Sequence, residues 1–253
     1  MVRLTSRDNP LCKRFRGVAQ NPRQGRKEGI FLLEGRHLLE EALRVGWPLD
    51  SVMVDESRWP LWEDLLKPAG VSVALVPNDF LKKLGTQPAP EGVLALGLRR
   101  EPRWPEVSSR GRYLYLDGVQ DPVNVGILVR SAVAFGFDSA FIGPGTADPF
   151  GPAALSRSAG AALHIPLAHC GEEELLVWAE RGNVNMLAAE EGGAPLRGAV
   201  MAPVLLALGN EGHGLSPRLR ASATLAGVPM AEGWDSLNVA AAGSILMRDI
   251  AGL

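Results

Sequence analysis

The sequence predicts an α/β protein in two parts, a smaller α/β segment followed by a mainly parallel sheet flanked by helices. Two observations predict it. Strand-like apolar runs alternate with segments of helical periodicity, which is typical of a parallel sheet covered on both faces. A polar stretch at 99–112, with two prolines and no periodicity, indicates an interdomain linker. We therefore place a boundary near residue 105 and predict domains of 1–105 and 106–253.

The first part has the pattern of a small α/β domain. A helical pattern over 33–45 precedes a strand-like run at 51–54, and further strand-like runs lie at 71–76 and 93–98. The first 36 residues carry nine Lys and Arg against three acids. This density would attract a polyanion, although a solvated surface explains it equally well.

The second part contains six strand-like runs separated mostly by helical segments. They lie at 113–116, 139–142, 164–167, 184–188, 204–208 and 225–228. In sheets of this kind ligands bind beyond the carboxyl ends of the strands. We therefore expect the functional site in the three polar loops that follow the runs at 113–116, 204–208 and 225–228.

The first of these loops leads into a helix that ends near Gly136. An apolar stripe at helical spacing predicts the buried face of this helix. The stripe consists of Val125, Leu128, Val129, Ala132 and Val133. Asn124 suits the N-cap, and Arg130 lies off the stripe. A structural cap with a solvated arginine and a catalytic pair are both compatible with this spacing.

The other two loops also lead into helices. The loop at 209–216 contains three glycines, and Ser216 and Pro217 predict the N-cap and first position of the next helix. An ordinary turn explains the cap but not the glycines, which allow a ligand to approach the backbone. In the third loop Ser236 is a candidate N-cap, and the small residues at 240–244 predict that another backbone packs closely on the helix that follows.

Composition and missing motifs exclude several classes of function. The chain of 253 residues is 46% hydrophobic and 21% charged, and no run approaches the roughly 18 apolar residues of a membrane span. Charged residues near Met1 replace the apolar core of a secretory signal, so we expect a cytoplasmic protein without a membrane partner. Cys12 and Cys170 lack ligand-like spacing to any histidine, so we expect neither a disulfide nor a metal. Dinucleotide, phosphate-loop and nucleophile-elbow motifs are absent.

The three loops carry motifs in a fixed order. They are Asn124-x-Gly126-x-x-x-Arg130-x-x-x-x-Phe135-Gly136, then Gly209-Asn210-Glu211-Gly212-x-Gly214-Leu215-Ser216, then Val228-Pro229-Met230 with Ser236-Leu237-Asn238-Val239. Together they resemble the motifs of the SpoU (TrmH-like) RNA ribose methyltransferases of the SPOUT superfamily, over roughly residues 113–250. Looser matches at 6–10, 31–36 and 91–95 resemble that family's substrate-binding domain, which is related in shape to small ribosomal RNA-binding proteins. Glu91 stands where we expect glutamine.

The resemblance implies a fold, a cofactor and partners. It implies a deep trefoil knot near the C-terminus, an S-adenosylmethionine site in the knot loops, RNA as substrate, and a homodimer whose active site draws on both subunits. By similarity, the residues with catalytic roles are Asn124, Arg130, Glu211, Ser236 and Asn238. The residues whose backbone surrounds the cofactor are Leu208, Gly209, Asn210, Gly214, Val228, Met230 and Leu237. RNA capture falls to the basic residues Arg14, Arg16, Arg23, Arg26, Lys27 and Arg36.

The implied reaction is methyl transfer to a ribose 2′-hydroxyl, and the N-terminal resemblance favours ribosomal RNA. The family assigns proton acceptance to the arginine matching Arg130. A guanidinium stays protonated, however, so Arg130 is equally suited to holding a phosphate and stabilising an alkoxide while water takes the proton. Four alternatives remain open: a tRNA ribose methyltransferase, a base methyltransferase, a non-catalytic RNA-binding or ribosome-assembly protein, and a small-molecule α/β enzyme.

Overall fold

The computed structural model describes residues 1–86, 91–101, 104–233 and 236–253, which form two compact α/β units. The first unit comprises Met1–Glu101 with Phe150–Leu163, and the second comprises Pro102–Pro149 with His164–Leu253. The domain division at residue 105 stays a prediction, and 150–163 pack with the first unit. No helix in the described ranges is long and apolar enough to cross a membrane.

The first unit is built on a five-stranded sheet in the order β1-β4-β3-β5-β2. Its strands are β1 (Val2–Arg3), β2 (Ile30–Glu34), β3 (Leu49–Asp55), β4 (Ser72–Val76) and β5 (Val93–Leu98). β5 runs antiparallel to both its neighbours, β2 and β3, while β1, β3 and β4 are parallel. The starts of β2 and β3 therefore lie along one edge of the sheet together with the end of β5.

Most of the helices that surround this sheet bury apolar residues. The helices are α1 (Pro10–Gln20), α2 (Pro22–Lys27), α3 (Arg36–Arg44), α4 (Glu63–Leu66), α5 (Asn78–Leu84) and α7 (Pro152–Ser158), with 3-10 turns at Glu56–Leu61 and Ala161–Leu163. Asn9 caps α1 by accepting a hydrogen bond from the Leu11 amide at 2.9 Å. The buried face of α1 carries Cys12, Phe15 and Val18, which join the core of the unit.

The predicted helix over 33–45 begins too early. Residues 30–34 form β2, and the helix starts only at Arg36. All five residues of β2 are buried, so the segment shows no alternation that would distinguish a strand from a helix. Gly35, with a φ of 88°, separates the two elements. The strands predicted at 51–54, 71–76 and 93–98 are confirmed as β3, β4 and β5.

The second unit is built on a six-stranded parallel sheet in the order β11-β9-β10-β6-β7-β8. Its strands are β6 (Arg112–Asp117), β7 (Ser139–Ile142), β8 (Leu167–His169), β9 (Asn185–Ala194), β10 (Val204–Gly209) and β11 (Thr224–Ala226). Five predicted strands are confirmed with small changes at their ends, and β9 is longer than predicted. The strand predicted at 164–167 is wrong in its bounds, because β8 starts only after Pro166, which has no amide hydrogen to donate.

The helices of this unit are α6 (Pro122–Ala134), α8 (Glu172–Arg181), α9 (Pro217–Ala221) and α10 (Val239–Ala251). Two predicted N-caps are wrong. Asp121, not Asn124, caps α6, and Asn238, not Ser236, caps α10 by accepting from the amides of Ala240 and Ala241. The Ser216 cap of α9 is confirmed.

The last helix, α10, packs directly on α6, as its small residues predict. A Cβ added to Gly243 would lie 2.6 Å from the terminal side-chain carbons of Leu128 and Leu208, so any larger residue would require these leucines to shift. The hydroxyls of Ser131 and Ser244 are hydrogen-bonded at 2.7 Å across the same contact. The trefoil knot stays a prediction. The α/β class itself, with a parallel sheet flanked by helices after an N-terminal unit, is confirmed.

Candidate active site

Two of the predicted loops leave the sheet side by side. β6 and β10 are paired in register, with Leu116 opposite Leu208 and Asp117 opposite Gly209. Because the strands are parallel, the loops that follow them start at the same edge of the sheet. The Asn210 side chain joins them by donating to the Gly118 carbonyl at 2.8 Å.

The loop after β10 is a tight turn that depends on glycine. Asn210 and Gly214 exchange two backbone hydrogen bonds, of 3.0 and 2.9 Å. A Cβ on Gly209 would lie 2.3 Å from the carbonyl carbon of Gly214, which excludes any side chain. The Asn210 carboxamide oxygen accepts from the amides of Gly212 and His213, so this side chain shapes the turn.

Three polar side chains from the three loops form one hydrogen-bonded chain. The Asn238 amide group donates to Asn124 Oδ1 at 3.1 Å, and the Asn124 amide group donates to Glu211 Oε1 at 3.0 Å. The direction is fixed at both ends. A carboxylate only accepts, and the Asn238 oxygen is held by amide donors at the start of α10. The structure thus brings Asn124 into direct contact with both Glu211 and Asn238.

Glu211 is held as an anion. Its carboxylate also accepts from the amides of Gln120 at 3.2 Å and Asp121 at 3.4 Å. Partial burial by itself would raise the pKa of Glu211, but the hydrogen bonds from Asn124 and the backbone amides outweigh burial and hold the pKa below its ordinary value. A carboxylate of lowered pKa is a weak base, so the geometry suits Glu211 to orienting Asn124.

A second polar cluster lies at the C-terminal end of the loop after β10, where α9 begins. Asp117 accepts from the Ser216 amide at 2.9 Å, and the Ser216 hydroxyl is hydrogen-bonded to Glu172. Burial, reinforced by the charge of Glu172, raises the pKa of Asp117 despite the Ser216 hydrogen bond. The sequence did not single out Asp117, although it directly follows the strand predicted at 113–116 and is the last residue of β6.

The second and third loops line a cavity of about 340 Å³, near the lower end of the roughly 300–1,000 Å³ that is usual for small-molecule sites, and Asn124 of the first loop is not among its lining residues. All seven residues predicted for the cofactor line it, and so do Glu211, Ser236 and Asn238. The lining residues that the sequence did not single out are Ala189, Glu190, Glu191, Ala226, Gly227, Val239, Ala242 and Leu246. Ala189, Glu190 and Glu191 lie in the second half of β9, and Val239, Ala242 and Leu246 belong to α10. Applying the loop-after-strand rule to the strand predicted at 184–188 would have found the two glutamates.

The cavity fits a small cationic ligand with a flat apolar part. Three glutamates line it, and none of the described lining residues is Lys, Arg or His, although Glu190 is paired with Arg220 at 2.9 Å. One wall consists of closely packed backbone, since a Cβ on Gly227 would lie 2.6 Å from the Gly193 carbonyl oxygen. Backbone amides and carbonyls at such a wall can bind a purine edge, and the carboxylates complement a positive charge. S-adenosylmethionine has both features.

The structure does not bring Arg130 to this cavity. Arg130 is exposed on α6, is not a lining residue, and has no ion-pair partner in the described parts of the chain. Two large apolar residues on the same pair of helices, Ile127 of α6 and Ile245 of α10, are each 37% exposed. Among the described residues, no group of three or more His, Cys, Asp or Glu could hold a metal ion.

The residues predicted to bind RNA lie in the first unit, in different surroundings. Arg23, Arg26 and Lys27 are exposed on α2, and Arg16 is half-buried on α1. Arg14 is half-buried and paired with Asp50 at 2.7 Å and Glu28 at 3.4 Å. Arg36 starts α3, at the opposite end of β2 from α2, and pairs with Glu40 at 2.6 Å.

Comparison with known proteins agrees with this geometry. The sequence model of the SpoU rRNA Methylase family matches residues 111–248, and that of the MRM3-like substrate binding domain matches residues 9–95. An uncharacterized tRNA/rRNA methyltransferase of Synechocystis sp. is 32% identical, over 97% of this chain and 92% of its own length. The 23S rRNA (guanosine(2553)-2′-O)-methyltransferase RlmP of Bacillus subtilis is 29% identical over the full length of both proteins.

A solved structure has the same fold across both units. It is that of an AdoMet-bound rRNA methyltransferase from Sinorhizobium meliloti, with a TM-score of 0.84 and 27% sequence identity. The alignment covers 98% of this chain and 97% of that one.

Proposed function

This chain belongs to the SpoU rRNA Methylase family, and we propose that it transfers a methyl group from S-adenosylmethionine to a ribose 2′-hydroxyl of ribosomal RNA. The single observation that carries the proposal is the cavity beyond the ends of β10 and β11, where the second and third loops present ten of the predicted site residues. The relative from Bacillus subtilis, named as a 23S rRNA 2′-O-methyltransferase, supports the same reaction and substrate class.

The chain's own residues would hold the cofactor by shape and charge. When bound, S-adenosylmethionine supplies an electrophilic methyl group. We assign the adenosyl part to the backbone wall near Gly209, Val228 and Met230, because Gly209 and Gly227 allow close backbone packing there. We assign the positively charged part to the side of the cavity that carries Glu191, because Glu190 is already paired with Arg220 at 2.9 Å.

Asn124, Glu211 and Asn238 are positioning residues in this proposal. Their hydrogen-bonded chain fixes the three loops relative to one another, and correct placement of reacting groups is a large part of catalysis. Glu211 is a poor proton acceptor because its pKa is lowered. Ser236, which lines the cavity, is the remaining candidate for contact with the ribose.

In this proposal, Arg130 contacts the substrate bound at the cavity of a second copy of the chain. It is exposed next to the apolar surface of Ile127 and Ile245, which a homodimer would bury. A guanidinium stays protonated, so we assign Arg130 to the substrate phosphate and the developing alkoxide, with water accepting the proton. We also propose that the reaction takes place in the cytoplasm, without a metal.

In this proposal, the two parts of the chain have different functions. We propose that residues 1–105 bind RNA and residues 106–253 carry out methyl transfer. The match of an MRM3-like substrate binding domain to residues 9–95 supports the first assignment. The surplus of bases supports it too, since residues 1–115 hold 19 Lys and Arg against 14 acids while the remainder holds 7 against 14.

Incubation of the purified chain with radiolabelled S-adenosylmethionine and unmodified 23S rRNA, followed by digestion to nucleosides, tests the proposal. We expect a 2′-O-methylated nucleoside, with the guanosine equivalent to that of the Bacillus subtilis enzyme as the first position to map. Transfer RNA is incubated in parallel. A base-methylated product, labelling of tRNA alone, or cofactor binding without transfer to any RNA would each overturn it.

A further inference from the structure

The two edges of the first unit's sheet carry charge differently. At the edge where β1 and β3 end and β5 begins, arginines lie beside carboxylates. The pairs are Arg3 with Glu56, Arg7 with Asp79, Arg36 with Glu40, and Arg58 with Asp55. Paired arginines have less charge to offer a phosphate, because an incoming anion must compete with the carboxylate. We call this edge of the sheet the balanced edge.

The opposite edge, where β2 and β3 begin, has a surplus of bases. α2 ends directly before β2 and exposes Arg23, Arg26 and Lys27. Within the described ranges, Arg23 and Lys27 have no ion-pair partner. Arg14 pairs with both Glu28 and Asp50, a group with a net charge of −1, so the local surplus of positive charge comes from Arg23 and Lys27.

Two arginines that sequence patterning places in a linker belong to the same edge. The Arg99 amide donates to the Gly29 carbonyl at 2.7 Å, directly after α2, and its guanidinium donates to the Ile30 carbonyl. Arg100 lies over the Trp47 ring at 4.1 Å and donates to the Gly46 carbonyl at 3.3 Å. Glu101 is the one acid that follows them directly. Antiparallel pairing of β5 with β2 thus brings Arg99 and Arg100 next to Lys27.

The fixed position of Arg100 favours binding of an anion. Its guanidinium is stacked on an indole ring and tied to a carbonyl, so it loses little side-chain entropy when a phosphate arrives. The ring beneath it, Trp47, is only 7% exposed and cannot stack on a base. The surface therefore suits the sugar–phosphate backbone of a folded RNA and not the bases of an unpaired loop.

We propose that Arg23, Lys27, Arg99 and Arg100 form a phosphate-binding edge that holds the backbone of the substrate RNA. The proposal rests on the proposed function for the identity of the RNA, and it moves the contact surface away from Arg14 and Arg36. A paired arginine can still contribute to the general field, but the edge formed by α2 and the end of β5 supplies the counterion release that drives binding.

The test compares two double variants of the full chain. Arg99→Gln/Arg100→Gln removes two charges from the phosphate-binding edge, and the control Arg3→Gln/Arg58→Gln removes two from the balanced edge. Binding of a 23S rRNA fragment is measured by fluorescence anisotropy from 0.05 to 0.3 M KCl. Each lost phosphate contact lowers the slope of log K against log salt by about 0.7–0.9. We therefore expect a slope smaller by about 1.4–1.8 and about 15- to 30-fold weaker binding at 0.15 M salt.

Further measurements keep the result interpretable. Arg23→Gln/Lys27→Gln, on exposed residues without ion pairs, should reproduce the change in slope even if loss of the Arg99 contacts loosens the fold. Affinity for S-adenosylmethionine, measured by calorimetry, should match the wild type in all variants. A slope that changes only in the control, or equally in all variants, overturns the proposal. Failure of the wild type to bind cofactor or to methylate RNA would overturn the proposed function, and the RNA-binding comparison would remain readable.

Discussion

Replacing Glu211 by glutamine tests the hydrogen-bonded chain that joins the three loops. The carboxylate accepts from three N–H donors, on Gln120, Asp121 and Asn124. A glutamine keeps the shape but places its own amide donor opposite at least one of them. Rotation of the Asn124 carboxamide does not solve the conflict, because it would then face the amide group of Asn238, whose direction is fixed by the start of α10.

The size of the effect follows from one lost charge-assisted hydrogen bond. Such a bond contributes about 1.5–3 kcal/mol. Glu211 is exposed, so water compensates part of the loss and the lower value, about 1.5 kcal/mol, applies. This corresponds to a factor of about ten. Because Gly209 and Gly214 of the same loop line the cavity, we expect the Kd for S-adenosylmethionine to rise about tenfold.

Calorimetric titration measures that Kd, with Glu173→Gln as the matched control. Glu173 is exposed on α8 in the same unit and lies away from the cavity. The lowered pKa of Glu211 gives a second readout. Its contribution to the free energy of unfolding is present above the ordinary pKa of 4.5 and is lost as pH falls through the lowered value. Two results together would refute the reasoning: an unchanged Kd for Glu211→Gln, and a free energy of unfolding that is lower than the wild type's by the same amount at pH 3 as at pH 7.

Three further predictions test the surroundings of the cavity. Gly209→Ala should destabilise the fold by about 1–3 kcal/mol and abolish cofactor binding, because the added Cβ would lie 2.3 Å from the backbone of Gly214. The control Gly212→Ala should change the thermal midpoint little, because a Cβ there would lie 3.5 Å from its nearest neighbour. Arg130→Lys keeps the charge but loses the planar fork, so turnover should fall more than tenfold while calorimetry shows unchanged cofactor affinity; near-normal turnover would remove Arg130 from the mechanism. Since the pKa of Asp117 is raised, mainly by burial and then by Glu172, the free energy of unfolding should fall as pH rises from 3.8 through the raised value. Denaturation of Asp117→Asn should lack this part of the pH dependence, and retention of it would assign the effect to another group.

Most strands of the second unit could be predicted because each contains a short apolar run followed by glycine or polar residues, and the polar second half of β9 was missed for the same reason. β8 shows the limit of that rule, since the apolar run at 164–167 includes Pro166 and pairing starts one residue later. β2 shows another limit. Its residues are buried on both faces, so periodicity alone cannot distinguish it from the start of α3.

The sequence predicted which residues line the cavity better than it predicted which residues cap the helices beside it. The lining of the cavity includes all seven residues that the resemblance assigned to the cofactor. Both errors in helix capping arose where two capping residues lie close together in the sequence. The choice of Asp121 over Asn124 depends on Glu211, which is 87 residues away from Asn124. Contacts of that range, like the pairing of Arg14 with Asp50, leave no local signal in a single sequence.

The position of Asn238 at the start of the last helix has a consequence for synthesis. Asn124 and Asn238 are 114 residues apart, and every strand of the second sheet precedes Asn238 in the chain. A nascent polypeptide stopped before α10 has all its strands but lacks one wall of the cavity. Cofactor-dependent protection against heat or proteolysis is therefore acquired only after α10 has been synthesised, and a product truncated before α10 should melt at the same temperature with or without the ligand.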